Sequence, residues 1–161
     1  MKYMLSIIVL GIVSFGLTLD AHAQKFGLGA GVGYGSEYET ASLNVGVLYS
    51  FTDEIRSSLD VAYFLPKNDL TWININVDGH YGFIENEKMF VYGLVGVNYI
   101  ILNIKGVGTG VSNSNETGFN VGAGMDYRLG TIGVFGEAKY VINKIMLNNQ
   151  ITGTVGARFF F

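Results

Sequence analysis

The chain has 161 residues, 23 glycines, one proline, no cysteine and a formal net charge of −3. That length suits one domain with a sizeable core. The mild negative balance argues against a nucleic-acid partner, and the missing cysteines exclude a disulfide framework, a thiolate metal site and a cysteine nucleophile.

The first segment reads as a leader. Lys2 precedes the apolar run MLSIIVLGIVSFGLTL, and Ala21, His22 and Ala23 set small residues at the −3 and −1 positions of a cleavage site. This is the pattern of a secretory signal peptide over 1–23, leaving a single domain over 24–161. The competing reading is an uncleaved membrane anchor, and Ala-His-Ala favours cleavage. Gln24 stands where a lipidated N-terminus would need cysteine. Lys2 and Asp20 leave together, so the charge of the domain stays at −3.

The domain opens with FGLGAGVGYG, in which every second residue from Gly27 to Gly35 is glycine. A phosphate cradle of the form G-x-G-x-x-G fails here, because the last glycine falls on Val32, Tyr34 or Ser36, and no G-K-[ST] follows. The period of two describes a strand instead. Phe26, Leu28, Ala30, Val32 and Tyr34 form its apolar face, and the other face carries no side chains.

The same alternation recurs down the chain and predicts strands over 25–34, 40–51, 56–65, 71–83, 89–101, 117–128, 131–142 and 150–161. Short polar turns are expected at 52–55, 85–88 and 128–131, with longer loops near 35–39, 66–70, 102–116 and 143–149. Pro66 sits at a strand end, where its missing N–H costs little. In the third strand Leu59, Val61, Tyr63 and Leu65 oppose Ser58, Asp60 and Ala62; in the fourth Ile73, Ile75, Val77 and Tyr81 oppose Asn74, Asn76, Asp78 and His80. The sixth sets Phe119, Val121, Ala123, Met125, Tyr127 and Leu129 against Gly118, Asn120, Gly122, Gly124, Asp126 and Arg128.

Alternation alone fits a soluble barrel with its apolar face inward as well as a membrane barrel with that face outward. Three features separate them. The polar face is crowded with glycine, which suits a cramped interior. Aromatics such as Phe26, Tyr34, Tyr49, Phe51, Tyr63, Tyr81, Tyr99 and Tyr127 sit near strand ends on the apolar face, where interface girdles lie. Strands of about ten residues tilted by about 40° rise roughly 25 Å, the height of an outer-membrane apolar band. The expected fold is an all-β, eight-stranded antiparallel up-and-down transmembrane barrel with a filled lumen.

The last residues, TVGARFFF, place Thr154, Gly156, Phe159 and Phe161 in the pattern by which outer-membrane barrels are handed to their assembly machinery. With the leader and the strands, the chain resembles the small eight-stranded OmpA/OmpX-type barrels, porin-family outer membrane proteins. The resemblance implies a monomer in the outer membrane of a Gram-negative-type bacterium, with both termini and the short turns in the periplasm. Its implied partners are lipopolysaccharide, phospholipid and the barrel assembly machinery, with an extracellular ligand at loop 102–116 as a further candidate. No cofactor is expected. The implied function is structural, a display of surface loops, with a narrow pore for small solutes as the alternative.

Parity assigns Asp60, Asp78, His80, Tyr92, Asp126, Arg128, Glu137, Lys139 and Arg158 to the lumen as a polar network. Counting through the 143–149 loop sets Glu137 almost opposite Arg158, where carboxylate and guanidinium could bond in bidentate fashion. Counting through the 84–88 turn sets His80 beside Tyr92. Some barrels of this size modify lipid A. The deacylases place His and Ser close in one strand with a Glu partner, and His80 has no serine close to it in sequence. The acyltransferases use His, Asp and Ser near the outer surface and an N-terminal amphipathic helix, which this chain lacks. No catalytic or metal site is expected, since one histidine and scattered carboxylates make a poor ligand set.

Overall fold

The computed structural model describes residues 25–37, 39–67, 70–105, 111–143 and 149–161. The predicted leader therefore lies outside the described residues, as do the tip of the predicted loop 102–116 and most of 143–149. The strands are β1 (Phe26–Gly35), β2 (Thr40–Ser50), β3 (Ile55–Lys67), β4 (Leu70–Glu85), β5 (Met89–Lys105), β6 (Val111–Leu129), β7 (Ile132–Asn143) and β8 (Gln150–Phe160). Each pairs antiparallel with the next, and β8 returns to β1, so that the eight close into a barrel. The backbone N–H of Phe26 donates to the carbonyl of Phe161 at 3.1 Å, which ties the two ends together at one rim.

The alternation that specifies the strands also specifies their sides. Val45, Val95, Phe119 and Val155 point outward and are exposed, whereas Arg56, Asp78, His80, Asn98 and Asp126 point inward and are buried. A soluble barrel would reverse this. Glycine on the inner face is a packing requirement at the seam, where Gly31 of β1 is registered against Gly156 of β8. A Cβ on Gly31 would stand 2.6 Å from the Val155 carbonyl oxygen, and one on Gly156 would strike the carbonyl of Ala30.

Several strands run further than predicted. β3 continues to Lys67 and β4 begins at Leu70, so the expected 66–70 loop shrinks to its centre. Pro66 falls where the β3–β4 register shifts, between Phe64 and Lys67, and the irregularity absorbs its missing donor. The largest correction concerns 102–116, most of which is strand: Ile101 pairs with Asn115, Asn103 with Asn113 and Lys105 with Val111. Its Gly, Ser and Asn content reads as loop because this hairpin outruns β7, whose last rung joins Asn143 to Gly118. Past that rung the exposed positions Asn115 and Thr117 are polar, so the apolar–polar alternation that marks a strand is missing there.

Candidate functional site

The lumen is built in three tiers. At the rim that carries the termini, Phe90, Tyr92 and Leu94 of β5 form a buried apolar cluster. Phe160 of β8 is buried at the same rim. Arg56 lies flat on this plug, its guanidinium carbon 3.1 Å from the centre of the Phe90 ring. At the opposite rim Ala62, Phe64, Trp72 and Ile100 form a second apolar cluster. There the Phe64 and Trp72 rings stack at 4.5 Å.

Charge occupies the space between. The Asp126 carboxylate is shared by two guanidiniums: Arg56 Nη1 donates to Oδ2 at 2.9 Å, and Arg158 Nη1 donates to Oδ1. Arg158 also lies over the Phe135 ring, with its guanidinium carbon 3.9 Å from the centroid. Deeper in, Lys139 Nζ sits among three carboxylates on three strands, at 2.9 Å from Asp60, 2.6 Å from Asp78 and 3.0 Å from Glu137. Carboxamides complete the set. Asn76 Nδ2 donates to Asp60 at 2.8 Å, Asn120 Nδ2 to Asp78 at 2.9 Å, and Asn98 Nδ2 to Asn120 at 2.8 Å. Burying this many charges is tolerable because each of these has an ion-pair partner, although Arg56 Nε and Nη2 are buried without an acceptor.

Of the residues assigned to the lumen, the structure brings Asp60, Asp78, Asp126, Glu137, Lys139 and Arg158 into ion pairs with one another or with Arg56. His80 adjoins them, its ring stacked on Tyr92 at 4.5 Å, and Tyr92 Oη donates to Glu137 at 2.8 Å. Arg128 stands apart, its guanidinium carbon 4.9 Å from the Phe160 ring and its buried Nε without a hydrogen-bond partner. Arg56 is absent from the sequence-based set because it begins a strand next to the polar turn TDEI. Its parity with Ser58 and Asp60 was the signal that places it inside.

Two sequence expectations need correction. The β7–β8 ladder pairs Glu137 with Thr154 and Arg158 with Gly133, so Glu137 and Arg158 are not opposite one another. The ladder starts at the rung Val141–Gln150, which leaves the two residues four positions out of register. The contact is a single approach of 3.7 Å from Arg158 Nη2 to Glu137 Oε2 and is not bidentate. Second, His80 does have a serine beside it: Ser58 of the neighbouring strand lies 3.1 Å from its Nε2. Proximity in the sheet, invisible to a search along one strand, supplies it.

The chemistry open to these groups is narrow. Ser58 and His80 are within nucleophile–base distance, but both are buried between the plugs and His80 Nδ1 has no acceptor to orient the ring. Asp60, Asp78 and Glu137 have carboxylate oxygens within 4.8 Å of one another, a spacing that suits a metal ion. The Lys139 ammonium already bonds to all three, so a tethered cation does the work of a bound one.

No family model and no curated protein matches the chain. Solved structures do. The N-terminal β-barrel domain of Pseudomonas aeruginosa OprF superposes with a TM-score of 0.72 at 15% identity, over 87% of this chain and 100% of that one. Neisserial surface protein A (NspA) gives 0.70 at 16% identity, over 84% of this chain and 97% of its own. The outer membrane enzyme PagL gives 0.54 at 13% identity, over 83% and 98%. The fold is that of the small eight-stranded outer-membrane barrels, as the resemblance in the sequence implied.

Proposed function

We propose that the chain is an integral outer-membrane barrel that conducts no solute and presents the rim opposite its termini to the outside of the cell. The exposed apolar belt, with Tyr81, Phe119 and Phe159 in it, is suited to lipopolysaccharide and phospholipid. Thr154, Gly156, Phe159 and Phe161 would serve recognition by the assembly machinery during biogenesis, after export by the leader. A monomer suffices for this role. The similar folds include a surface protein and an enzyme, so the fold alone does not choose between display and catalysis. The sealing of Ser58 and His80 between two plugs favours display, and the same plugs disfavour the pore.

The observation that carries the reading is the β5–β6 hairpin. Its rungs continue from Tyr99–Thr117 to Lys105–Val111, beyond the point where β7 leaves β6. Among the described residues no strand pairs with the outer edge of 111–117. A strand edge offers its backbone N–H and C=O groups to an extended segment of another protein. An extracellular protein binding there is the partner we assign to the region 102–116.

Whole-cell labelling tests this placement. A Ser112→Cys variant should react with a membrane-impermeant maleimide on intact cells, and Asn86→Cys in a terminus-side turn should react only after lysis. Labelling of Asn86→Cys alone would invert the topology, and labelling of neither with the protein in the soluble fraction would reject the membrane.

A further inference from the structure

The apolar outer wall carries a recess. Ala123 of β6, Ala138 of β7 and Gly153 of β8 stand on one row, rung to rung, that ends at Tyr34 of β1. Gly136 lies beside this row, two positions along β7. Met125, Val155 and Tyr34, all exposed, stand around these small residues, and the result is an apolar notch of about 620 Å³. Three steps between strands give it a length of about 14 Å. That is close to the ~15 Å that one leaflet of a ~30 Å hydrocarbon core provides. Tyr34 is next to the last residue of β1 and Gly153 lies near the start of β8, so the notch climbs from mid-wall at Ala123 toward the rim opposite the termini.

The fold does not require glycine at the two positions that deepen it. A Cβ on Gly153 would meet nothing within 4 Å, and one on Gly136 only Val155 Cγ1 at 4.0 Å. On the inner face the opposite holds, and a Cβ on Gly46 would stand 2.8 Å from Asp60 Cβ. Glycine inside a strand weakens it, so Gly136 and Gly153 give up stability for room outside the barrel. Left empty, the notch would forfeit dispersion contacts along its floor. Water is a poor occupant, because the recess is apolar and offers it few partners.

We infer that the notch holds one acyl chain of an outer-leaflet lipopolysaccharide molecule, lying obliquely across β6, β7 and β8. The inference rests on the membrane placement and orientation proposed above. Hydrocarbon is the contact made by the whole belt with which the notch is continuous, and the notch opens toward the outer rim, which selects the outer-leaflet lipid. A chain in it is touched along its floor and both flanks, whereas lipid against a convex wall is touched on one side only. That difference makes this chain a resident of the barrel.

Native mass spectrometry of the protein folded in detergent micelles, with purified lipid A or phosphatidylethanolamine added, counts the lipid retained. The wild type should hold one lipid A molecule in preference to phosphatidylethanolamine. Gly153→Leu fills the notch where a Cβ meets no atom, so unboiled gel migration should be unchanged. Its retention of lipid A should fall by about tenfold, the loss of about two buried methylenes. Gly79→Leu is the control, at an exposed glycine of β4 where a Cβ meets only the Val95 carbonyl oxygen at 3.8 Å, and it should retain lipid A as the wild type does. In the wild type alone, NOEs to acyl methylenes should be stronger at the Ala123 and Ala138 methyls than at Ala157, which is exposed outside the notch. Equal retention by all three proteins, or by none, would overturn the inference. So would preference for phosphatidylethanolamine, or a protein dimer that Gly153→Leu disperses, which would seat a second copy in the notch. Maleimide labelling reads the orientation separately, so a failure here is distinguishable from a failure of the display reading.

Discussion

Arg158 and Glu137 meet inside the lumen from adjacent strands without being neighbours in the β-ladder. Their strands register Arg158 with Gly133 and Glu137 with Thr154, and the guanidinium covers the difference by reaching along the barrel to within 3.7 Å of the carboxylate. Its better contact is with Asp126, which takes a second guanidinium from Arg56. Double-mutant cycles should reflect that order. We expect a coupling of about 2–3 kcal/mol for Arg158→Met with Asp126→Asn, and under about 1 kcal/mol for Arg158→Met with Glu137→Gln. Equal couplings, measured by urea unfolding in vesicles, would show that the guanidinium is centred differently.

Lys139 holds three carboxylates together. Replacing it by methionine leaves Asp60, Asp78 and Glu137 crowded in a poorly solvated space, at a cost of about 3–5 kcal/mol. Adding Asp78→Asn should recover part of the loss, because it removes a charge that would have no partner. A double variant less stable than Lys139→Met alone would contradict this account of the site.

The outward face should reject charge according to depth. Val97 and Val121 are exposed on β5 and β6, and arginine at either should cost about 2–4 kcal/mol if it lies near the bilayer midplane. Unboiled gel migration after folding into lipid vesicles reports the folded fraction. Unchanged folding of both Val97→Arg and Val121→Arg would mean that this face does not meet hydrocarbon.

Two plugs in series make the lumen insensitive to the loss of one. The wild type should give no conductance steps in planar bilayers, and neither should Phe64→Ala combined with Trp72→Ala, because Phe90, Tyr92 and Phe160 still close the other end. Reproducible steps from the wild type would restore the pore reading.

Deleting Phe161 should leave export intact and lower the amount reaching the outer membrane, since the deletion removes the terminal aromatic of the assembly pattern. Cell fractionation with immunoblotting measures this. Normal outer-membrane levels of the truncated chain would rule out that role for the residue.

The barrel was legible because one physical rule, a period of two with apolar side chains outside, governs all eight strands wherever both faces are constrained. It failed where both faces of the strand are polar, as in 112–116, which lies beyond the last rung between β6 and β7. Lumen membership followed from parity, and Arg56 shares the parity of Ser58 and Asp60 though it was not among the residues assigned there. Partners within the lumen were less legible, because long side chains such as Arg158 and Lys139 reach past their ladder neighbours. The plugs were missed for another reason: Phe160 is flanked by Phe159 and Phe161, so an apolar residue facing inward leaves no break in the pattern.

The position of Phe160 on β8 bears on the order in which the molecule is completed. One rim is stoppered by the last residue of β8, and the wall has no closure until β8 meets β1. Every intermediate that lacks this strand is an open, curved sheet with two free edges and its carboxylates and guanidiniums bathed in solvent. The cost of desolvating those charges therefore falls on the last step of folding, when β8 also brings Arg158 to Asp126 and Glu137.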